Sequence, residues 1–230
     1  MLKLSVVLPA YNEAHVLPRV VSDLSRELRR LEPSFEVVVV NNGSSDDTAL
    51  ALASLQKRFP ELVVVSVHPN EGFGHGVLCG LQAARGEVLG WAGADGQLVA
   101  EEIGLVYKVL LETGSSFCKG ERKQSTKDLA RKVQSTAYTA LFRFLFGPLS
   151  TDVNGSPKFI RRELLEKLHL ESKDWFIDSE CIIKAARAGH RPTEVPVVWR
   201  KREAGYSKVN IKAVFQFLKN MFVYKLKKGY

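Results

Sequence analysis

The sequence predicts an α/β fold, in which a mostly parallel sheet is flanked by helices in a single domain. Runs of β-branched residues alternate with segments whose apolar positions recur at helical spacing, and this alternation is typical of β-α-β units. Polar turns rich in glycine, asparagine and aspartate follow several of the apolar runs. A chain of 230 residues with 45% hydrophobic residues can bury a core of this kind.

The first half of the chain carries the clearest elements. Four strands are predicted, at 4–8, 35–40, 62–67 and 88–91. The helix after the first strand has its apolar residues at helical spacing from Val16 to Leu28, and Asn12 is its predicted cap. The helix after the second strand has Ser44 or Ser45 as its predicted cap.

The second half continues the pattern with shorter strands and a basic surface. We expect strands at 116–118 and 194–199, helices through 133–147 and 178–189, and an amphipathic basic helix in 210–230. The last of these either docks on the core or lies in a membrane interface. Because no repeat or linker interrupts the chain, we expect one domain.

Charge is distributed unevenly between these halves. The net charge is −5 over residues 1–115 and +13 over residues 116–230. A basic half indicates an anionic partner, such as a phosphate or acidic lipid, or else an ordinary solvated surface. Nucleic acid is not expected, since no recognition helix or aromatic RNA-binding motif accompanies the charge. The three cysteines lack disulfide or zinc spacing, which favours a reducing cytoplasm, and no segment has the length of a membrane span.

Polar residues follow three of the predicted strands. Asn41 and Asn42 end the second strand, where side-chain amides can receive a nucleobase and ribose, although an ordinary capped turn would look the same. The glycines of "NEGFGHGVLCG" follow the third strand, so they do not form a dinucleotide fingerprint. Gly72 and its neighbours are instead expected to permit close approach of a ligand or tight helix packing.

A single carboxylate, Asp95, follows the fourth strand in "GWAGADGQ". Together with Gln97 it could hold Mg²⁺ or Mn²⁺ if a diphosphate completes the coordination shell, because Mg²⁺ often takes one or two carboxylates plus substrate phosphates. The alternative is that Asp95 caps the following helix. Asp178 and Glu180 are two residues apart, so they should lie on different faces of a helix; either could act as a base or as a cap residue.

Together these motifs resemble the family 2 glycosyltransferases, most closely the branch of dolichyl-phosphate mannose and polyprenyl-phosphate hexose synthases. The resemblance rests on the order of "SVVLPAYNEAHVLPRVV", "VVVVNNGSSDDT", "NEGFGHGVLCGLQAARGEVLGWAGADGQ", "DVNGSPKFI", "DSECIIKAARAGHRPTEVPVVW" and "REAGYSK". It covers nearly the whole chain. It implies a GT-A fold in a single domain, 1–230, with a nucleotide-sugar-binding half at about 1–115 and an acceptor half at about 116–230. It also implies a nucleoside diphosphate sugar as donor, a divalent metal, and a polyprenyl phosphate as acceptor.

The resemblance also assigns residues. It implies a donor pocket containing Pro9, Tyr11 and Glu13, base and ribose contacts at Asn41 and Asn42, and a metal and diphosphate site at Asp95 and Gln97. Positions associated with the phosphates or the acceptor are Arg122, Arg131, Arg202, Ser207 and Lys208. The chain departs from the family by having asparagines in place of an aspartate pair, and Gly93 in place of the first aspartate of the metal motif.

We therefore expect an enzyme that transfers a hexose, mannose or glucose, from a GDP-sugar or UDP-sugar to a polyprenyl or dolichyl phosphate with inversion. We expect it to work peripherally at the cytoplasmic face of a membrane. Charge on the departing diphosphate would be met by the metal at Asp95 and by cations. One alternative is a sugar hydroxyl acceptor in cell-surface glycan synthesis, with Asp178 or Glu180 as base. A second is a nucleotide-sugar-binding protein with impaired catalysis, which Gly93 and the paired asparagines suggest.

Overall fold

The described part of the chain contains seven strands, most of them separated by helices, and seven named helices. A computed structural model describes residues 2–123, 129–200 and 219–226. The strands are β1 Leu4–Ala10, β2 Phe35–Asn42, β3 Leu62–Val67, β4 Val88–Trp91, β5 Phe117–Lys123, β6 Lys158–Arg161 and β7 Thr193–Val198. The helices are α1 Leu17–Leu31, α2 Thr48–Gln56, α3 Phe73–Ala83, α4 Ala100–Thr113, α5 Leu129–Phe146, α6 Arg162–Leu168 and α7 Ile177–Arg187. Residues 219–226 are also helical and are called the 219–226 helix below.

The strands form one sheet in the order β3-β2-β1-β4-β6-β5-β7. All neighbours are parallel except β6, which is antiparallel to both β4 and β5. The predicted mostly parallel sheet is therefore confirmed. The strand order reverses beside β1, where β2 lies on one side and β4 on the other, and open α/β sheets bind ligands at the carboxyl ends of strands at such a point.

Both faces of the sheet are buried. Val37 and Val39 of β2 pack in the core beneath α1, α2 and α4, whereas Val38 and Val40 pack in the core beneath α3, α5, α6 and α7. Because side chains alternate between faces along a strand, burial of both faces explains the uninterrupted apolar run in β2.

The second half of the chain completes the same sheet. β6 lies between β4 and β5, so residues 158–161 join the strands of the first half to those of the second. The sequence analysis assigned no strand to this segment. Its four residues include two cations, and its pairing depends on strands that are distant in sequence.

The predicted helix caps are wrong. α1 begins at Leu17 and α2 at Thr48, and neither helix has a side-chain cap at its preceding residue. Asn12 has a φ of 55° and hydrogen-bonds to the β2–α2 loop instead. In the described part of the chain, no helix has the length and apolar character needed to cross a membrane.

Candidate active site

The loops after β1 and β2 are joined by hydrogen bonds between side chains and backbone. The Ser45 backbone N–H donates to Asn12 Oδ1 at 2.8 Å, and the Asn12 backbone N–H donates to Ser44 Oγ at 3.0 Å. These bonds use the polar groups that the sequence analysis assigned to helix capping. These hydrogen bonds therefore hold the loops at the carboxyl ends of β1 and β2 together.

Asp46 strengthens the same connection between the loops. Its carboxylate accepts the backbone N–H groups of Ala14 at 3.2 Å and Thr48 at 3.1 Å, together with the Thr48 hydroxyl. Partial burial acts to raise the pKa of Asp46, but the hydrogen bonds from Thr48 and Ala14 outweigh it and lower the pKa below its ordinary value. The Asp46 carboxylate therefore serves to hold the two loops together.

The three donor-pocket candidates on and after β1 differ in exposure. Pro9 is buried within β1, opposite Val40 in β2. Glu13 is also buried, and its carbonyl accepts the N–H of Leu17 at the start of α1. Tyr11 is 37% exposed at the carboxyl end of β1, so of these three it has the side chain best placed to meet a ligand in the cleft.

The paired asparagines at the end of β2 have separate partners. Asn41 is half-buried, and its Oδ1 accepts the Ser44 N–H at 3.2 Å. Asn42 is only 3% exposed, and its Nδ2 donates to the Gly72 carbonyl at 2.9 Å. An aspartate could replace Asn41 as an acceptor but could not replace Asn42 as a donor. This difference gives a physical reason for an amide at position 42.

The glycines of residues 72–76 form a packing surface for another part of the chain. A Cβ on Gly72 would lie 2.5 Å from the Lys173 carbonyl oxygen, and one on Gly74 would lie 2.3 Å from that of Ser172. The His75 N–H donates to the same Lys173 oxygen at 2.8 Å. The sequence predicted either close approach of a ligand or tight packing for these glycines, and the contacts with residues 172–174 match tight packing. Gly72 meets the protein's own backbone on this side.

Asp95 lies in the loop between β4 and α4. It is half-buried, and its Oδ1 accepts the Gln97 N–H at 3.2 Å. Since α4 begins at Ala100, the alternative that Asp95 caps this helix is wrong. Gln97 is buried; its Nε2 donates to the Arg200 carbonyl at 3.2 Å, and the Arg200 N–H donates to the Gln97 carbonyl at 2.8 Å. Gln97 thereby ties this loop to the end of the β7 segment.

The residues around Asp95 fit a metal that is held mainly by its substrate. Within the described residues, no group of three or more His, Cys, Asp or Glu side chains could hold a metal ion. One carboxylate is nevertheless enough for Mg²⁺ when phosphate oxygens and water supply the remaining ligands. A Cβ added to Gly93 would lie 3.6 Å from Asp95 Oδ1, an ordinary contact distance, so the loop has room for a second carboxylate.

Asp178 and Glu180 lie on different faces of α7, as expected from their spacing. Asp178 Oδ1 accepts Trp91 Nε1 at 3.1 Å and forms an ion pair with Lys158 Nζ at 2.8 Å. Glu180 is fully buried, pairs with Lys184 at 2.6 Å, and accepts the backbone N–H groups of residues 171 and 172. These bonds hold the loop before α7, so we do not place Glu180 among the groups that meet the reactants.

Arg122 lies near the carboxyl end of β5 and is held by a carboxylate. Its Nε and Nη2 donate to the two oxygens of Asp152 at 2.8 and 2.6 Å, and Nη2 also donates to Ser135 Oγ at 3.0 Å. Burial acts to raise the pKa of Asp152, but the hydrogen bonds and charge of Arg122 outweigh it and lower the pKa. Arg122 can therefore meet a phosphate only with the edge of its guanidinium that Asp152 does not occupy.

The remaining acceptor candidates lie beyond what can be described. Arg131 belongs to α5, but its side chain is outside the described residues. Arg202, Ser207 and Lys208 lie wholly outside them.

Sequence reasoning did not select the buried lysines of this region. Lys119 in β5 and Lys158 in β6 are both fully buried, and Lys119 pairs with Glu194 at 2.9 Å. Burial acts to raise the pKa of Glu194, but the Lys119 charge and hydrogen bonds from neighbouring hydroxyls bring it down to about 2. The sequence feature that could have indicated them is a lysine next to apolar residues of a strand, as in "FCK" and "PKFI".

The order and direction of the strands define an α/β protein of the GT-A type. The model of the family described as "Glycosyl transferase family 2" matches residues 5–169, and the chain belongs to this family. The resemblance noted from the motifs is therefore confirmed.

Two curated relatives match most of the chain. It is 26% identical over 223 residues to a dolichyl-phosphate beta-glucosyltransferase of Trichomonas vaginalis, covering 90% of this chain and 68% of that protein. It is 28% identical over 212 residues to an undecaprenyl-phosphate 4-deoxy-4-formamido-L-arabinose transferase of Sodalis glossinidius, covering 91% of this chain and 63% of that protein. The chain thus spans about two thirds of the length of these relatives.

Two solved structures show the same fold. Glucosyl-3-phosphoglycerate synthase from Mycobacterium tuberculosis, solved with Mn²⁺, UDP and its product, superposes with a TM-score of 0.76 at 20% identity, covering 97% of this chain and 79% of that chain. A mannosyltransferase from Pyrobaculum calidifontis, solved with GDP-mannose and Mn²⁺, superposes with a TM-score of 0.72 at 22% identity, covering 99% and 65%. These structural neighbours confirm the predicted GT-A fold.

Proposed function

We propose that this protein transfers a hexose from a nucleoside diphosphate sugar to a polyprenyl phosphate, with inversion at the anomeric carbon. The observation that carries the acceptor class is the pairing of two carboxylates, Asp178 with Lys158 and Asp152 with Arg122. Each carboxylate is already occupied by a cation of the protein, the buried Lys158 in one case and the half-buried Arg122 in the other. These carboxylates are therefore poorly suited to take a proton from a hydroxyl acceptor.

A phosphate acceptor avoids that requirement. A phosphomonoester has a second pKa of about 6, so it is largely a dianion at neutral pH and needs no base to become a nucleophile. One of its oxygens forms a bond to the anomeric carbon while the bond from that carbon to the donor diphosphate breaks. The bonding electrons leave with the diphosphate, and attack from the opposite face inverts the configuration.

The donor end of the cleft has a matching set of groups. We propose that Asp95 is the protein ligand of a divalent metal, which when bound supplies positive charge to the departing diphosphate. Tyr11 and Asn41 lie at the ends of β1 and β2 and are proposed to contact the nucleoside. Gln97 is proposed to orient the Asp95 loop through Arg200. For Arg131, Arg202, Ser207 and Lys208 we retain the proposal of phosphate contacts on the acceptor side.

An apolar surface on α5 and the 219–226 helix supports a lipid acceptor. Phe144 is 84% exposed and Leu226 is 81% exposed, while Met221 is fully buried and anchors the 219–226 helix to the core. Lys225 Nζ donates to the Leu145 carbonyl at 2.6 Å, which joins the two helices. Exposed apolar side chains beside cations are typical of a surface that lies in a membrane interface. We propose peripheral contact with the cytoplasmic face of a membrane at this surface.

The two relatives named above support the same acceptor class, since one is a dolichyl-phosphate glucosyltransferase and the other an undecaprenyl-phosphate transferase. The solved structures support the donor class, because one holds UDP and the other GDP-mannose, each with Mn²⁺. Both donors therefore belong in the test.

The direct test is incubation with radiolabelled GDP-mannose or UDP-glucose, polyprenyl phosphate and Mg²⁺ or Mn²⁺, followed by lipid extraction. We expect label in the lipid phase with one donor, and loss of that label in Asp95→Ala. A glycerol-linked or oligosaccharide acceptor without phosphate serves as control and should stay unlabelled. Label on the hydroxyl acceptor alone, or nucleotide binding without transfer to any acceptor, would overturn the proposal.

A further inference from the structure

A row of buried side chains crosses four strands next to the site. The register pairs Trp91 of β4 with Lys158 of β6, Lys158 with Lys119 of β5, and Lys119 with Glu194 of β7. Paired residues on neighbouring strands point to the same face of a sheet, and here that face is covered by α5 and α7. Two lysines thus lie side by side in the interior.

Lys158 is held from three directions. Its Nζ donates to the Gly155 carbonyl at 2.7 Å, pairs with Asp178 Oδ1 at 2.8 Å, and lies 5.9 Å from the centre of the Trp91 ring. Lys119 instead pairs with Glu194 at 2.9 Å, on the side of the row away from Asp178. The two lysines therefore share burial and charge but serve different carboxylates.

Asp178 gains a fixed orientation from these contacts. Oδ1 receives both the Lys158 ammonium and the Trp91 indole N–H, so the carboxylate is held by two donors. Trp91 is the last residue of β4, and the loop that carries Asp95 follows it directly. The hydrogen bond from Trp91 therefore joins Asp178 to the end of β4, and Asp95, the proposed metal ligand, lies in the loop that follows.

Stability alone does not account for this arrangement. Apolar residues of similar volume often replace a buried ion pair without loss of stability, whereas removal of one partner is costly. A fixed carboxylate beside the site has a use in glycosyl transfer, because positive charge develops on the sugar ring as the bond to the leaving group breaks.

We propose that Lys158 is a positioning residue for the transfer reaction. It holds the Asp178 carboxylate, together with Trp91, in one orientation, so that the carboxylate is the negative end of a fixed ion pair that faces the positive charge developing at the anomeric centre. This inference rests on the proposed function, and Lys119 has no part in it.

The experiment compares Lys158→Met with Lys119→Met, the matched variant in the neighbouring strand. We expect Lys158→Met to lower kcat about 100-fold and to leave the KM for the donor within about threefold. Lys119→Met should lower kcat by less than about fivefold, although it loses an equally buried charge. Equal losses of kcat in the two variants would overturn the proposal.

A double variant guards against a failure to fold. Lys158→Met leaves Asp178 as a buried unpaired charge, whereas Lys158→Met combined with Asp178→Asn removes both charges, so we expect thermal unfolding closer to that of the wild type. In the Asp178→Asn background, Lys158→Met should change kcat by less than about twofold, because a positioning residue acts only through its partner. A full, additive loss would show that Lys158 acts independently of Asp178.

A readout without turnover separates this inference from the proposed function. The chain has three tryptophans, so ¹H–¹⁵N spectra resolve three indole signals, and Trp91→Phe assigns one of them. Lys158→Met should shift the Trp91 indole signal, and Lys119→Met should leave it in place. If the wild type transfers no sugar, the proposed function fails while this spectrum still tests the geometry. An unshifted Trp91 signal in Lys158→Met would overturn the positioning role.

Discussion

The proposed donor side and the proposed acceptor side of the site carry their charges in opposite ways. At the donor side, positions 41, 42 and 93 carry amides or glycine, and Asp95 supplies the one carboxylate of the loop after β4. On the acceptor side, Asp178 is buried in an ion pair with Lys158. We infer that the donor side relies on charges that arrive with the substrate and metal, whereas Asp178 already has its counterion within the protein.

This difference follows from solvation. A carboxylate near the open cleft can be reached by water or metal ions, so it needs no protein cation to be stable in its charged form. A buried carboxylate must have a partner, because the interior does not solvate it. The fixed charges that can orient a reaction are therefore those in the interior, next to the cleft.

The largest expected effect comes from removing the donor-side carboxylate. Asp95→Ala should weaken metal-dependent binding of the preferred nucleotide about 100-fold, because it deletes the proposed protein ligand of the metal. Calorimetry with UDP and GDP in the presence of Mn²⁺ measures this change. Binding of the same nucleotide in EDTA serves as the control and should be affected little. Equal loss with and without metal would mean that Asp95 contacts the nucleotide and not a metal.

The paired asparagines test whether the donor side tolerates charge. Asn42→Asp should destabilise the protein by about 2 kcal/mol, because the Gly72 carbonyl loses its donor and a buried carboxylate faces it instead. Asn41→Asp is the matched control and should change the free energy of unfolding by less than about 0.5 kcal/mol, since its oxygen still accepts the Ser44 N–H. Urea denaturation measures both. Similar values for the two variants would contradict the separate roles.

A second carboxylate in the loop after β4 should give the donor side more fixed negative charge of its own. Gly93→Asp has steric room and places a carboxylate beside Asp95. We expect metal-dependent nucleotide binding to tighten about tenfold, because the affinity of oxygen-ligand sites rises with the number of charged ligands. Gly93→Asn provides the same volume without the charge. If both substitutions leave binding unchanged, the loop holds its metal in another way or not at all.

The smallest expected effect concerns acid stability on the acceptor side. The pKa of Glu194 is lowered to about 2 in the folded protein from an ordinary value of 4.5. Its contribution to stability is therefore present above about pH 4.5 and is lost as the pH falls toward 2. Linkage with these two values gives a loss of about 1.8 kcal/mol between about pH 5 and 3, and solvent screening of the half-buried carboxylate reduces it, so the wild type should lose about 1 kcal/mol more stability than Glu194→Gln. Parallel stability curves for the two proteins would show that Glu194 does not provide this acid sensitivity.

Sequence patterns were sufficient for the strands of the first half. The runs at 62–67 and 88–91 coincide with β3 and β4, because buried parallel strands are continuous apolar stretches. Sequence patterns did not predict the caps of α1 and α2 correctly, and they did not predict β6. Asn12 was available to cap α1, yet it bonds to residues more than 30 positions away. Local propensity does not contain such a partner.

The use of the polar residues could be inferred only in part. Alternation and turn chemistry predicted that Asn41 and Asn42 end one parallel strand and that Asp95 lies in the loop after another, so that all three are at the carboxyl edge of the sheet. The assignment of Asn42 to Gly72, of Glu180 to the backbone before α7, and of Asp178 to Lys158 arises from packing.

The division has a simple physical origin. Periodicity and strand ends are local properties, since the backbone geometry repeats over two or three to four residues, so the order of residues along the chain is enough to establish the α/β architecture and its ligand-binding edge. The partners of charged and polar groups are set by which segments meet when both faces of the sheet are covered. Because each group that loses water there must find a donor or acceptor within hydrogen-bonding distance, the three-dimensional packing determines which carboxylates remain available to a substrate.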